Sequence, residues 1–285
     1  MPNVLDIRRR IRSVKNTQQI TRAMKMVSAA KLRRAQENML NARPYANRVL
    51  SVIKSLVGSS EEKIHPLLAE RKEEKIQLVV FTVDKGLCGA FNTNIIKSTE
   101  AFLNKNQGKS LSLYCVGKKG RDYFAKRAIP IKEELVNLFN RIDYDQAQKI
   151  GANLISQFKS QEIDAIYLLY NEFKSVIQQR IVVERLLPIP TFEPEARDSI
   201  VDYIYEQSPV DILASLIPKH IEVQIFRALL ESSAAEHGAR MTAMDAATNN
   251  AIEMIDSLTL TMNRARQAGI TNEIIEVVSG AAALK

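Results

Sequence analysis

Seam positions in the last part of the chain fall at Leu230, Ala234, His237, Met241, Met244, Thr248, Ala251, Ile255, Leu258, Met262 and Ala265, in alternating steps of four and three. That is the 3.5-residue period of a left-handed coiled coil. Lys219 to Lys285 contains no proline and only Gly238, Gly269 and Gly280, so it predicts one helix. At the usual rise such a helix is about 100 Å long, too long for its own domain to cover. The other end has the same rhythm. Ile7, Ile11 and Val14 begin a stripe that Leu32, Ala35, Met39, Ala42, Ala46, Val49 and Ile53 resume. Between them the seam positions are Gln18, Thr21, Lys25 and Ser28, while Ile20, Met24 and Val27 form a second stripe. The expectation is that the first helix rotates its contact face there. Arg43-Pro44 is expected to kink or break it, because proline removes one backbone bond and clashes with the preceding turn. The pattern predicts a protruding antiparallel coiled coil made from an N-terminal helix over 1–57 and a C-terminal helix over 209–285, opened by Pro209.

The middle of the chain changes period. Lys75–Val83 is β-branched and apolar, as a buried strand would be. Asp84–Gly89 turns into a helix over Ala90–Asn104, and Leu111–Val116, Ile129–Val136, Ile163–Tyr170 and Val176–Leu187 read as further strands. Helices are predicted at Lys118–Lys126 and Tyr144–Phe158. Strands alternating with helices define a Rossmann-like α/β domain over 75–190 with a mostly parallel five-stranded sheet. Pro188–Pro194 reads as irregular, and Ser199–Glu206 alternates like a short exposed strand.

Charge is distributed unevenly. Residues 1–54 hold thirteen Lys or Arg against Asp6 and Glu37, a balance of +11; residues 55–208 are neutral and 209–285 carry −3. The basic excess on one helix points to an acidic partner or to nucleic acid. No aromatic residue precedes Tyr45, so bases would have nothing to stack on, which argues against nucleic acid. Cys88 and Cys115 form neither a disulfide framework nor a metal motif and read as core residues. His65, His220 and His237 are scattered, and His237 on the seam reads as packed. The first strand is followed by Gly86-Leu87-Cys88-Gly89, without the glycine spacing that lays a pyrophosphate on a helix start. Gly117-Lys118-Lys119-Gly120-Arg121 is too short for a phosphate loop. No catalytic motif, cofactor site or membrane-length apolar run is read in the sequence, and the charges within Met1–Arg12 lead us to expect no signal peptide. These features leave a shaft with a head that must find a partner, a structural coiled-coil adaptor with an α/β cargo domain, or a basic-helix nucleic-acid protein.

One resemblance decides between them. Ile270-Thr271-Asn272-Glu273-Ile274-Ile275-Glu276-Val277-Val278-Ser279-Gly280-Ala281-Ala282 resembles the signature of the gamma subunits of F-type ATP synthases. The likeness continues in Asn263–Ala268, Ala239–Met244, Asn16–Val27, Arg43-Pro44-Tyr45, Asp84–Gly89 and Asp202–Glu206, in family order. Lys85 departs from it, standing where the family usually has Arg; the charge stays and the bidentate fork is lost. The resemblance implies the rotor shaft of the central stalk, without a catalytic site or cofactor of its own. Its partners would be the alpha and beta subunits of the catalytic head, the epsilon subunit and the c-ring, on the cytoplasmic face of a bacterial membrane. It also implies roles for particular residues. Met24, Arg266, Gln267, Thr271 and Glu273 would meet the catalytic hexamer, Tyr203 the epsilon subunit, and Tyr205 and Glu206 the c-ring.

Overall fold

The computed structural model describes residues 3–58, 65–127, 129–140, 142–176, 178–189 and 209–283. Two long helices bracket an α/β sheet: α1 Val4–Gly58 and α5 Pro209–Ala283, of 55 and 75 residues. Between them run β1 Lys75–Phe81, α2 Phe91–Lys105, β2 Ser110–Val116, α3 Lys118–Phe124, β3 Ile131–Leu135, α4 Tyr144–Lys159, β4 Ala165–Phe173 and β5 Gln179–Leu187. The chain divides into two compact units, Met1–Ser28 with Arg240–Lys285, and Ala29–Ala239.

The second unit is built on a five-stranded sheet in the order β3-β2-β1-β4-β5. β1 pairs parallel with β2 and β4, β2 pairs parallel with β3, and only β5 runs antiparallel, against β4. Burial explains the strand sequences: β1 is buried at every position after Lys75 and is apolar there except at Gln77. One core joins Phe81, Val116, Leu168 and Tyr170 of the sheet to Ile150, Leu154 and Phe158 of α4 and to Ile217, Ile221 and Ile225 of α5. α2 buries Phe91, Ile95 and Thr99. Asp84 Oδ1 accepts from the backbone N–H groups of Lys118 at 3.0 Å and Asn137 at 2.9 Å, tying the exit of β1 to the start of α3 and the exit of β3. Cys88 and Cys115 are both buried, and neither is in a disulfide.

Arg43-Pro44 does not end the first helix; α1 runs through with Pro44 inside it. Pro44 is exposed, so the carbonyl that loses its partner can face water, while buried Met39, Ala46, Val49 and Ile53 hold the turns on either side. Pro218 is likewise inside α5, in a stretch where Leu213, Ile217 and Ile221 are buried. The predicted strand over Ser199–Glu206 lies outside the described residues.

Candidate partner-binding surfaces

In the first unit the two chain ends zip together antiparallel. Asn3 starts α1 by accepting the Leu5 N–H on its side chain at 3.0 Å. Ile7, Thr21 and Ser28 are buried, with Ile11, Val14, Gln18 and Lys25 half-buried between them. On α5 Met244, Thr248 and Ala251 are buried, and Ile255, Leu258, Met262 and Ala265 half-buried. Thr21 Oγ1 and Thr248 Oγ1 lie 2.8 Å apart, and Lys25 Nζ meets Asp245 Oδ1 at 2.5 Å. One threonine hydroxyl donates across the seam while the other keeps a bond to a carbonyl of its own helix, Gln18 O or Met244 O.

The seam therefore keeps its face through the polar stretch, and the expected rotation onto Ile20, Met24 and Val27 does not occur. Ile20 and Val27 are 59% and 56% exposed, Met26 is exposed and Met24 is half-buried. The reason is hydrogen-bond complementarity. Polar side chains that answer one another across the interface satisfy their burial, so no apolar residue has to displace them. The Lys25–Asp245 pair is roughly half exposed and contributes at most about 1 kcal/mol.

These pairings set a register in which Val4, the first helical residue of α1, falls opposite Ala265. Beyond it α5 continues for roughly 27 Å at the usual rise per residue with no part of α1 opposite. Arg266, Gln267, Thr271 and Glu273 all lie on this segment and are all exposed. Helical spacing places Gln267, Thr271, Ile274 and Val278 along one stripe, and Arg266, Ile270, Glu273 and Val277 along the next. Thr271 Oγ1 donates to Gln267 O at 2.9 Å. Ile270, Ile274, Ile275, Val277 and Val278 are each at least half exposed. The structure thus gathers four of the five predicted hexamer contacts on one segment, with apolar side chains among them. Met24 lies apart on α1, beside the exposed Ile20, Met26 and Val27. Tyr203, Tyr205 and Glu206 lie outside the described residues.

The basic side of α1 stays open to partners: Arg8, Arg10, Arg12, Lys15, Arg22, Lys31 and Arg34 are all exposed. Arg9 reaches Asp6 at 3.7 Å and Arg33 reaches Glu37 at 3.1 Å, both as exposed helical neighbours. Among the described residues no cluster of His, Cys, Asp and Glu could hold a metal ion, and no helix is long and apolar enough to cross a membrane. Each histidine has a structural surrounding. His65 Nδ1 accepts from Leu67 N at 3.3 Å. His220 is buried with its Nδ1 unpartnered, and burial pushes its pKa down to about 4. His237 is buried on α5.

Sequence reasoning passed over Leu87, which the fold makes conspicuous. It is 64% exposed and sits in the left-handed backbone region at φ 62°, an uncommon place for a branched apolar residue. The neighbouring Cys88 is buried, and Asn92 clamps the turn by accepting from Val83 N at 3.2 Å and donating to Cys88 Sγ at 3.4 Å. The quoted Asp84–Gly89 block was the only available signal.

Two terminal helices paired antiparallel, with a mostly parallel α/β sheet formed by the chain between them, define a coiled-coil subunit of mixed α/β class. The comparisons with known proteins narrow this. The profile of the family described as "ATP synthase" matches residues 3–284. An ATP synthase gamma chain from Solibacter usitatus is 55% identical over 99% of both chains, and one from Pelotomaculum thermopropionicum is 49% identical over the full length of both. Among solved structures, the central stalk and c-ring of the Tetrahymena thermophila mitochondrial ATP synthase includes a chain 29% identical to this one. The TM-score is 0.64, with 80% of this chain and 99% of that one covered. The rotor of the Euglena gracilis mitochondrial ATP synthase shares the fold at TM-score 0.67 and 19% identity, over 94% and 98%. The chain belongs to the ATP synthase gamma-chain family.

Proposed function

We propose that this chain is the central-stalk rotor of an F-type, proton-translocating ATP synthase, carrying rotation between a membrane c-ring and the catalytic sites of an alpha/beta hexamer. The observation that carries the reading is the α5 segment beyond Ala265, a helix unpaired with α1 that presents Arg266, Gln267, Thr271 and Glu273 among exposed isoleucines and valines. Such a surface suits a surrounding sleeve, and the exposed basic side of α1 suits acidic loops on the sleeve's inner wall. Long-range attraction of that kind steers without gripping, because exposed charges are screened within about 10 Å at ordinary ionic strength. The polar seam from Gln18 to Ser28 keeps the paired part slender, and two helices held side by side resist twisting better than one.

In this reading the chain catalyses no reaction and holds no cofactor; it supplies coupling. Functionally it divides into an N-terminal coil helix over 1–57, an α/β body over 75–190 and a C-terminal coil helix over 209–285. Met24, Arg266, Gln267, Thr271 and Glu273 meet the alpha and beta subunits. Tyr203 meets the epsilon subunit, and Tyr205 and Glu206 meet the polar loops of the c-ring. The complex sits peripherally on the cytoplasmic face of a bacterial membrane, with no nucleic acid among its partners.

The test is the double substitution Arg266→Ala with Gln267→Ala in the reconstituted complex. Charge-assisted hydrogen bonds contribute roughly 1.5–3 kcal/mol each, so assembly weakens and coupled turnover falls. Unchanged assembly together with an unchanged ATPase rate would refute the contact. Both substitutions are at exposed helical positions where Ala is a good helix former, so a loss would not come from unfolding.

A further inference from the structure

A groove between α1, α4 and α5 is walled by aromatic rings. Tyr45 of α1, Tyr144 of α4 and Phe226 of α5 line a cavity of 400 Å³, with Val223 as further apolar wall. Its size is within the range of small-molecule sites. The Tyr144 and Phe226 rings stand nearly perpendicular, at 79° with their centroids 5.6 Å apart, and so meet as two walls of a corner. Tyr45 is exposed and supplies a third ring.

Two side chains of opposite charge line the same groove, Lys219 and Glu222, both on α5. Glu222 is half-buried and Lys219 exposed, and neither makes an ion pair among the described residues. Glu222 Oε2 accepts the Tyr144 hydroxyl at 2.8 Å. Burial, that bond, the Glu222 charge and the nearby Tyr45 all hold the Tyr144 phenol above its ordinary pKa, so the proton stays on the tyrosine and Glu222 keeps its charge. The face of an aromatic ring attracts a cation lying within about 6 Å of its centroid, and pockets lined by several rings recognise alkylated ammonium groups. A methylated ammonium suits such walls because it has no N–H to satisfy, whereas a primary ammonium brings three donors. Glu222 adds a countercharge. Lys219 would repel a plain cation but complements an oxyanion carried beside it.

We propose that this groove binds a small zwitterion carrying a methylated ammonium next to an oxyanion, as a betaine does. The ammonium lies among the Tyr45, Tyr144 and Phe226 rings and faces Glu222, and the oxyanion turns outward to Lys219. Side chains three positions apart on a helix are neighbours, with Cβ atoms about 5–6 Å apart, which suits two charges separated by one carbon. The bound molecule would tie the start of α4 to α1 and α5, adding to the Tyr144–Glu222 bond. None of these residues belongs to the surfaces assigned to the catalytic hexamer or the c-ring, so the site stands or falls independently of the rotor reading.

The experiment is isothermal titration of the purified full chain at constant ionic strength with glycine betaine, its carbon isostere 3,3-dimethylbutanoate, and free glycine. Betaine binds saturably at one per chain in the millimolar range. The isostere keeps the shape and the carboxylate but lacks the positive charge, and binds about fivefold more weakly or worse. Free glycine, with a primary ammonium, is weaker too. Tyr45→Leu changes an exposed side chain and weakens betaine binding by about fivefold, while Tyr45→Phe retains it. Glu222→Gln keeps an acceptor for Tyr144 and loses affinity with the charge, and Lys219→Ala loses affinity for betaine. The absence of saturable heat with betaine overturns the proposal, as does unchanged affinity in Tyr45→Leu. Dimethylbutanoate binding as tightly as betaine would mark a plain apolar groove and overturn the cation assignment.

Discussion

Thr82 sits at the exit of β1 with its hydroxyl accepting from Gly120 N at 2.9 Å and donating toward the carbonyls of Val116 and Gly117 at 3.1 and 3.2 Å. Thr82 explains both glycines of the Gly117–Arg121 segment, by its backbone carbonyl at Gly117 and by its side chain at Gly120. A Cβ on Gly117, at φ 97°, would lie 2.1 Å from Thr82 O, and one on Gly120 would lie 2.8 Å from the Thr82 side chain. Gly117→Ala is therefore expected to cost about 3 kcal/mol or more in a denaturant titration, because a backbone clash adds to the left-handed strain. Gly269→Ala, in an exposed helix with open space around it, is expected to stabilise by roughly 0.5–1 kcal/mol. His220 gives the pH dependence. Burial lowers its folded pKa to about 4, below the ordinary histidine value of 6.5, so the unfolded chain binds the extra proton between those values. Stability from this group is full above pH 6.5 and is lost as the pH falls toward 4, by about 3 kcal/mol at most. Urea midpoints measured over that window should fall less steeply in His220→Gln than in the parent chain.

Pairing decides what the long helices do. Apolar spacing was enough to locate both seams, since Ile7, Leu32, Met244 and Ala251 are buried where a 3.5-residue repeat puts them. It failed between Gln18 and Ser28 for a definite reason. A threonine or lysine at a seam position looks like an interruption until its partner is known, and those partners, Thr248 and Asp245, stand 227 and 220 residues away in sequence. Of the two outcomes expected at Pro44, the break does not occur, because the buried residues on either side hold the helix through it. The α/β order was legible throughout, being written in local period and turn residues. The seam partners of the polar stretch were not, because only the folded pairing of the chain ends brings them together. With the seam face settled, Met24 lies beside the exposed Ile20, Met26 and Val27, where its soft thioether suits a sliding contact. Met24→Lys is expected to leave ATP hydrolysis running in the reconstituted complex while proton pumping becomes inefficient, since the added ammonium can bind an acidic partner loop. Hydrolysis and pumping assayed on the same vesicles decide this, and equal losses of both would mark a folding defect.

At the scale of the whole molecule the two units differ in what stabilises them. The sheet unit holds a continuous core in which Leu78, Val79, Val80 and Phe81 and Ile166, Leu168 and Leu169 are essentially inaccessible to water. The coil unit has little comparable. Its seam between Gln18 and Ser28 is polar, every residue from Gly269 to Ala282 is exposed, and burial yields only about 25 cal/mol per Å² of apolar surface. Stability is accordingly uneven, and the segments with few buried apolar contacts open first. In hydrogen exchange on the isolated chain, amides at Leu78–Val83 and Ile166–Leu169 are expected to exchange slowly, and those at Thr17–Val27 and Thr271–Ala283 quickly. Assembly should then slow exchange at both coil segments, because a partner that binds only the folded helix stabilises it by mass action. If the coil tips of the isolated chain are as protected as the sheet, the coil is self-sufficient and the inferred dependence on a surrounding sleeve fails.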